Sequence, residues 1–302
     1  MNQSTSLSGK SFLWPKFSHL NSRLALAVLL CLVALTIPLI ISAYVKETIG
    51  LERQQQVYLQ ALMVSCFVVL GIWQMRVRLD RGTPMSIGLG TIKSAILKFA
   101  FGFCLLVVPL LITLLISNLA GWGKVTFNWG TSHLGIILLG MLSTFLTDAF
   151  PEELVFRGYI FSNLLEKFSK WKSAIITTTL FVLFPVLIFP IQKLLFGPSV
   201  MTGVVTSVSV GYMTYMLFFG AFAIYLRVLT KSIWTGVGFH LMFVFINQLI
   251  GLQPNNLIQL SEITSETPLQ ITFVTMLLLT FIALIVYPKI KSLRSNLINS
   301  NG

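Results

Sequence analysis

Eight apolar blocks, each long enough to cross a bilayer, constrain this chain more than any other feature. A helix needs about 20 predominantly apolar residues to span the hydrocarbon. Blocks of that kind fall at about Leu24–Val45, Val57–Met75, Ala95–Leu119, Leu134–Phe150, Ser173–Phe189, Val204–Val228, Ile233–Gly251 and Leu269–Tyr287. The 302 residues are 55% hydrophobic and only 10% charged, too apolar for a soluble domain. Lipid offers no partners to backbone N–H and C=O groups, so blocks like these must be helices. The expected fold is all-α, a polytopic membrane bundle of about eight transmembrane helices. The first block is too long for a secretory signal and lacks a small-residue cleavage site, so it reads as a retained membrane helix.

The net charge of +12 raises the question of nucleic acid, and its placement answers it. Lys and Arg gather in alternate connections: Lys10, Lys16 and Arg23; Arg76, Arg78, Arg81 and Lys93; Arg157, Lys167, Lys170 and Lys172; Arg227 and Lys231; Lys289, Lys291 and Arg294. The opposite connections hold only Lys46, Arg53, Lys124 and Lys193. That asymmetry is the positive-inside pattern and places both termini in the cytoplasm, with the plasma membrane as the expected location. The basicity is topological, and no nucleic-acid partner is expected. All six tryptophans lie near span ends, where interfacial anchors belong.

No internal repeat or long linker divides the chain. Residues 1–23 read as a polar, basic cytoplasmic lead and 289–302 as a basic tail. The stretch RGTPMSIGLG carries turn chemistry and separates a two-helix part, 24–94, from a helical core, 95–288. Cys31, Cys66 and Cys104 lie singly in three spans without metal-ligand spacing, and are expected as small buried apolar residues.

The costly stretch is DAFPEELVFRGYIF, from Asp148 to Phe161. Three of the nine acids, Asp148, Glu152 and Glu153, fall there at the end of an apolar run. If the helix continues to Lys167, Glu152 lies about 22 Å inside the boundary at 1.5 Å per residue. Intramembrane carboxylates face a bundle interior or a wet cavity, because facing lipid costs several kcal/mol. Glu153 and Arg157 are spaced i,i+4 and can pair on one face. Glu152 points about 100° away, with Asp148 on its own face. One paired acid beside one free acid is what a general base and its structural support require. The competing reading is an ordinary charged helix end. Pro151 is placed to open or bend the helix. His240, about 13 Å beyond Lys231, is the second intramembrane titratable group, and Asn247 returns to nearly its face two turns on. Alternating span directions put Glu152 and His240 together in the inner half. His19 and His133 read as solvated or interfacial.

With these residues assembled, the chain resembles the CAAX-protease and bacteriocin-processing (CPBP, or ABI) family of intramembrane proteases, similar to type II CAAX prenyl endopeptidases, over about 135–251. The family's EExxxR motif stands as Glu152-Glu153-Leu154-Val155-Phe156-Arg157, followed by GYIF. Its FxxxH motif starts at Phe181 but has Pro185 at the histidine position. Its HxxxN motif starts at His240 but has Val244 at the asparagine position, with Asn247 the nearest substitute. The resemblance implies hydrolysis of a peptide bond in a membrane-associated peptide or protein. It implies Glu152 as general base, Glu153, Arg157 and Asp148 as support, and His240 and Asn247 as the electrophilic or ligand groups. Zinc is the cofactor the family implies, with His240 the one ligand retained, whereas zinc ordinarily takes three or more protein ligands. Two other readings remain open: a degenerate member that binds a peptide, confers bacteriocin immunity or scaffolds a partner, and a proton-coupled transporter relaying through Asp148, Glu152 and His240.

Overall fold

The computed structural model describes residues 20–121, 124–127, 131–196, 209–251, 258–261 and 274–289. Each apolar block contains a helix: α1 (Leu20–Ile49), α2 (Arg53–Gln74, continued as a π-helix to Leu79), α3 (Ile92–Leu119), α4 (131–165), α5 (Lys170–Phe196), α6 (Val210–Thr230), α7 (Trp234–Leu249) and α8 (Val274–Lys289). Helices α1, α2, α3, α5 and α6 are long and apolar enough to cross a membrane; α7 and α8 are shorter and apolar. Their outward faces carry large exposed side chains such as Leu29, Leu62, Leu97, Leu115 and Leu194. An apolar exterior of this extent is stable only against lipid, and the molecule is an integral membrane protein. At one end, β1 (Lys124–Phe127), β2 (Ile250–Gly251) and β3 (Ile258–Ser261) form a small sheet, an addition to the helical bundle that the apolar pattern does not announce.

Two of the three cysteines depart from expectation. Cys31 is buried, but Cys66 and Cys104 are exposed, because they sit on the lipid-facing sides of α2 and α3. Trp73 and Trp171 face outward, as anchors do. Trp234 turns inward instead: its indole N–H donates to Leu89 O at 2.7 Å, and its ring stacks on Phe150. It ties α7 to the turn RGTPMSIGLG, where Gly88 takes a left-handed φ of 96°. Trp14, Trp122 and Trp129 lie outside the described residues.

In lipid, helices gain little from hydrophobicity and associate through close packing and polar contacts. Both devices appear. Gly102 on α3 lies against Thr235 O of α7, and Gly238 on α7 lies against Phe99 O of α3. A Cβ at either position would collide with backbone, so the two glycines set the spacing of the helix that carries His240. At the basic end, Asp80 is almost fully buried among ligands from three helices. Arg76 Nη1 and Arg23 Nη1 pair with it at 3.0 and 3.3 Å. The Tyr159 hydroxyl and Asn163 Nδ2 donate to it at 3.0 and 3.1 Å. The cluster clamps α1 and α2 to the lower part of α4. Removing charge from a buried acceptor with this many donors leaves them under-satisfied, so Asp80→Asn is expected to lower unfolding stability by about 1–3 kcal/mol. Denaturant titration in mild detergent measures it, and an unchanged midpoint would show the cluster to be dispensable.

Candidate functional site

Helix α4 is not regular where the acids sit. Two π-helical stretches, Phe145–Ala149 and Leu154–Ile160, flank the short α-helical piece Phe150–Glu153. Pro151 supplies a reason for the first. It has no N–H to offer to the carbonyls of the preceding turn, so the ladder there must widen or lose a bond. Leu146 O, five residues before the proline, takes its hydrogen bond from Ser65 Oγ of α2 at 2.6 Å. In the second stretch, Arg157 O accepts from Arg227 Nε of α6 at 3.0 Å. Neighbouring helices thus stabilise a distorted segment that would be costly in isolation.

The distorted segment presents Glu152 and Glu153 to α7. Glu153 is fully buried, and its Oε1 is shared: Arg157 Nη1 lies 3.0 Å away and His240 Nδ1 3.3 Å. The i,i+4 pair therefore exists, and Glu153 also holds the imidazole. Gly236 makes room for the same carboxylate, since a Cβ there would collide with Glu153 Oε2. The Arg157 guanidinium lies over the Phe181 ring at 4.0 Å, with Nη2 3.5 Å from Gly220 O. Phe219 contacts the imidazole edge-on, with centroids 4.6 Å apart. With Nδ1 facing Glu153, His240 Nε2 points to Glu152, whose Oε2 is 4.0 Å away. That gap is too long for a direct hydrogen bond. Glu152 is the more accessible acid, with 17% of its side chain exposed against 0% for Glu153.

Glu152 and His240 open onto a cavity of about 220 Å³ that Asp148 also lines. Its uncharged polar lining comes from Gln60 of α2, Thr147 of α4, Gln192 of α5 and Tyr212 of α6, none of which the sequence reading singled out. The available signal was a pair of glutamines inside apolar runs, YLQALMV and FPIQKLL. Leu35 and Gln60 bring the two N-terminal helices into the wall. Pro185 and Val244, the positions where the two family motifs would have histidine and asparagine, also face the cavity. The alignment of those motifs is therefore spatially consistent, but the polar groups are replaced by apolar ones. Asn247 lies on α7, with its side chain outside the described residues.

The cavity runs toward the sheet end of the bundle. Gln60 is near the Arg53 end of α2, Gln192 near the Phe196 end of α5, and Tyr212 near the Val210 end of α6. Toward the basic end, α4 is buried continuously from Glu153 to Phe161, and the Asp80 cluster lies beyond. Glu152 and His240 lie slightly nearer the basic ends of α4 and α7, while their free space extends away from the basic loops.

The donor set does not fit zinc. Among the described residues no three His, Cys, Asp or Glu side chains are arranged to hold a metal ion. His240 Nδ1 is turned to Glu153, and Pro185 and Val244 supply nothing to coordinate. What the arrangement offers instead is an imidazole held between two carboxylates, one locked and one facing open space.

Residues 133–246 match the family model described as Type II CAAX prenyl endopeptidase Rce1-like, a match covering less than half of the chain. The matched segment contains all of Glu152, Glu153, Arg157 and His240. No curated protein and no solved structure matches the chain.

Proposed function

We propose that the protein is an intramembrane endopeptidase that hydrolyses a peptide bond of a membrane-associated substrate by acid–base chemistry. The observation that carries this is the Glu152–His240–Glu153–Arg157 chain at the head of a cavity, within the matched segment. The 4.0 Å separation of Glu152 Oε2 and His240 Nε2 suits a water touching both. Glu152 takes a proton from that water as its oxygen adds to the scissile carbonyl carbon. With a proton on each nitrogen, His240 gives Nδ1–H to Glu153 and presents Nε2–H to the oxyanion. As the C–N bond breaks, Glu152 returns its proton to the leaving amine. Glu153 and Arg157 are positioning residues, acting through His240 and not on the substrate.

From the positive-inside pattern we infer a plasma-membrane protein whose basic loops face the cytoplasm. On that orientation the cavity receives its substrate from the opposite face. The test is hydrolysis itself: purified protein in proteoliposomes, incubated with a peptide library from each side, should generate new termini detectable by mass spectrometry. No new termini from either side would remove the enzymatic reading.

A second reading is favoured by one specific feature, the apolar Pro185 and Val244 on the cavity wall. On that reading the chain keeps the family's cavity to bind a peptide, as an immunity or scaffold protein would, without cleaving it. Peptide retained intact by the same proteoliposomes selects it.

A further inference from the structure

Asp148 belongs to the cavity but has no part in the chemistry above. It precedes Glu152 by one turn on the widened part of α4, and its carboxylate has no ion-pair partner among the described residues. The charge count around the cavity makes it conspicuous. Three carboxyl groups gather there, Asp148, Glu152 and Glu153, and among the described residues the basic groups beside them are Arg157 and the His240 imidazole. Arg157 is committed to Glu153 behind the wall, and no lysine or arginine among the described residues lines the cavity. In a chain of net charge +12, three carboxyl groups here thus face one guanidinium and one imidazole.

An uncompensated carboxylate at membrane depth is costly unless water or a cation reaches it. Its surroundings specify what kind of cation. Gln60, Thr147, Gln192 and Tyr212 add uncharged hydrogen-bonding groups, matched to peptide N–H and C=O groups. Phe184, Ile188, Met216 and Phe243 form an apolar wall suited to methylenes. An ammonium on an aliphatic stem, attached to a peptide, satisfies all three. The volume of about 220 Å³ is room for one long side chain with its flanking peptide group, not for a folded domain.

We infer that the cavity selects a peptide segment bearing a basic residue, lysine above all, whose ammonium pairs with Asp148 while its peptide group lies toward Glu152 and His240. The inference rests on the peptidase reading for its peptide ligand and adds to it the side chain that is recognised.

The experiment uses full-length protein in nanodiscs and end-blocked peptides identical except for lysine, norleucine or glutamate at one position. Binding is measured on Glu152→Gln protein, so that turnover does not intervene, and cleavage on the protein with Glu152 intact. The lysine peptide should bind at least about tenfold more tightly than its norleucine counterpart, the scale of one charge-assisted hydrogen bond. Adding Asp148→Asn should reduce that ratio to near one, and Asp148→Lys should turn the preference toward glutamate. The charge-reversal arm separates recognition from a folding defect, because a misfolded cavity cannot acquire a new preference. Equal binding of lysine and norleucine peptides, or a lysine preference that survives Asp148→Asn, overturns the inference. A simple alkylammonium ion that competes as well as the whole peptide does so too, by assigning the cavity to small cations. Cleavage of lysine and norleucine peptides at equal rates leaves the peptidase reading standing and this one refuted. An Asp148-dependent lysine preference without any cleavage does the reverse.

Discussion

Glu152→Gln is expected to slow peptide cleavage by about 10²–10⁴-fold, the range associated with losing a general base. The amide has the shape of the carboxylate and can still hold a water beside His240, but cannot accept its proton. Stability should hardly change, because Glu152 makes no ion pair closer than 4.0 Å and retains 17% exposure. The neighbouring glutamate provides the contrast. Glu153 is fully enclosed, ion-paired with Arg157 and in contact with His240, so Glu153→Gln should lower stability and rate together. The measurement is a pair of curves for each variant, initial cleavage rate and denaturant midpoint, in one detergent. If Glu152→Gln cleaves at the unsubstituted rate, this glutamate is not the base and the mechanism falls.

Arg157→Met is expected to lose about 3–5 kcal/mol of unfolding stability, the cost of stranding one member of a buried ion pair. Both side chains of the pair are 0% exposed, so water cannot take over from the guanidinium. The methionine would keep contact with Phe181, where the guanidinium now lies, which isolates the loss of charge from a loss of packing. Adding Glu153→Gln should recover a large part of the deficit, since a buried pair replaced on both sides is often close to neutral. A double variant no more stable than Arg157→Met would assign the loss to packing instead of the stranded carboxylate. The rate should not recover with the stability, because His240 would still lack the carboxylate that orients it.

What could be read from the sequence was local. Helix periodicity relates Glu153 to Arg157 and separates Glu152 from both, whatever the rest of the chain does. The cost of polar groups in lipid marked Asp148, Glu152, Glu153 and His240 without knowledge of their neighbours. The same reasoning applied to Gln60 and Gln192 would have found two more cavity residues. It was not decisive there, because a neutral amide within an apolar run is cheaper than a charge and is less often a signal. The charge pattern of the loops hid other features. Arg23 and Arg76 counted as topological charges, yet both pair with Asp80 inside the clamp, which no spacing connects to them.

The apolar blocks and their lengths determined that this chain is a membrane bundle, and the turn spacing along one helix determined which acids pair. Only the tertiary structure decided that Glu153 serves the imidazole of a distant helix, that Pro185 and Val244 share a wall with Glu152, and that the free space runs away from the basic loops. The physical reason lies in the solvent. Hydrophobicity drives helices into lipid but does not choose their neighbours, and that choice falls to glycine contacts such as Gly102 and Gly238, to Ser65 bonding Leu146 O, and to buried ion pairs. Those contacts join residues far apart in the chain, where one-dimensional periodicity carries no information.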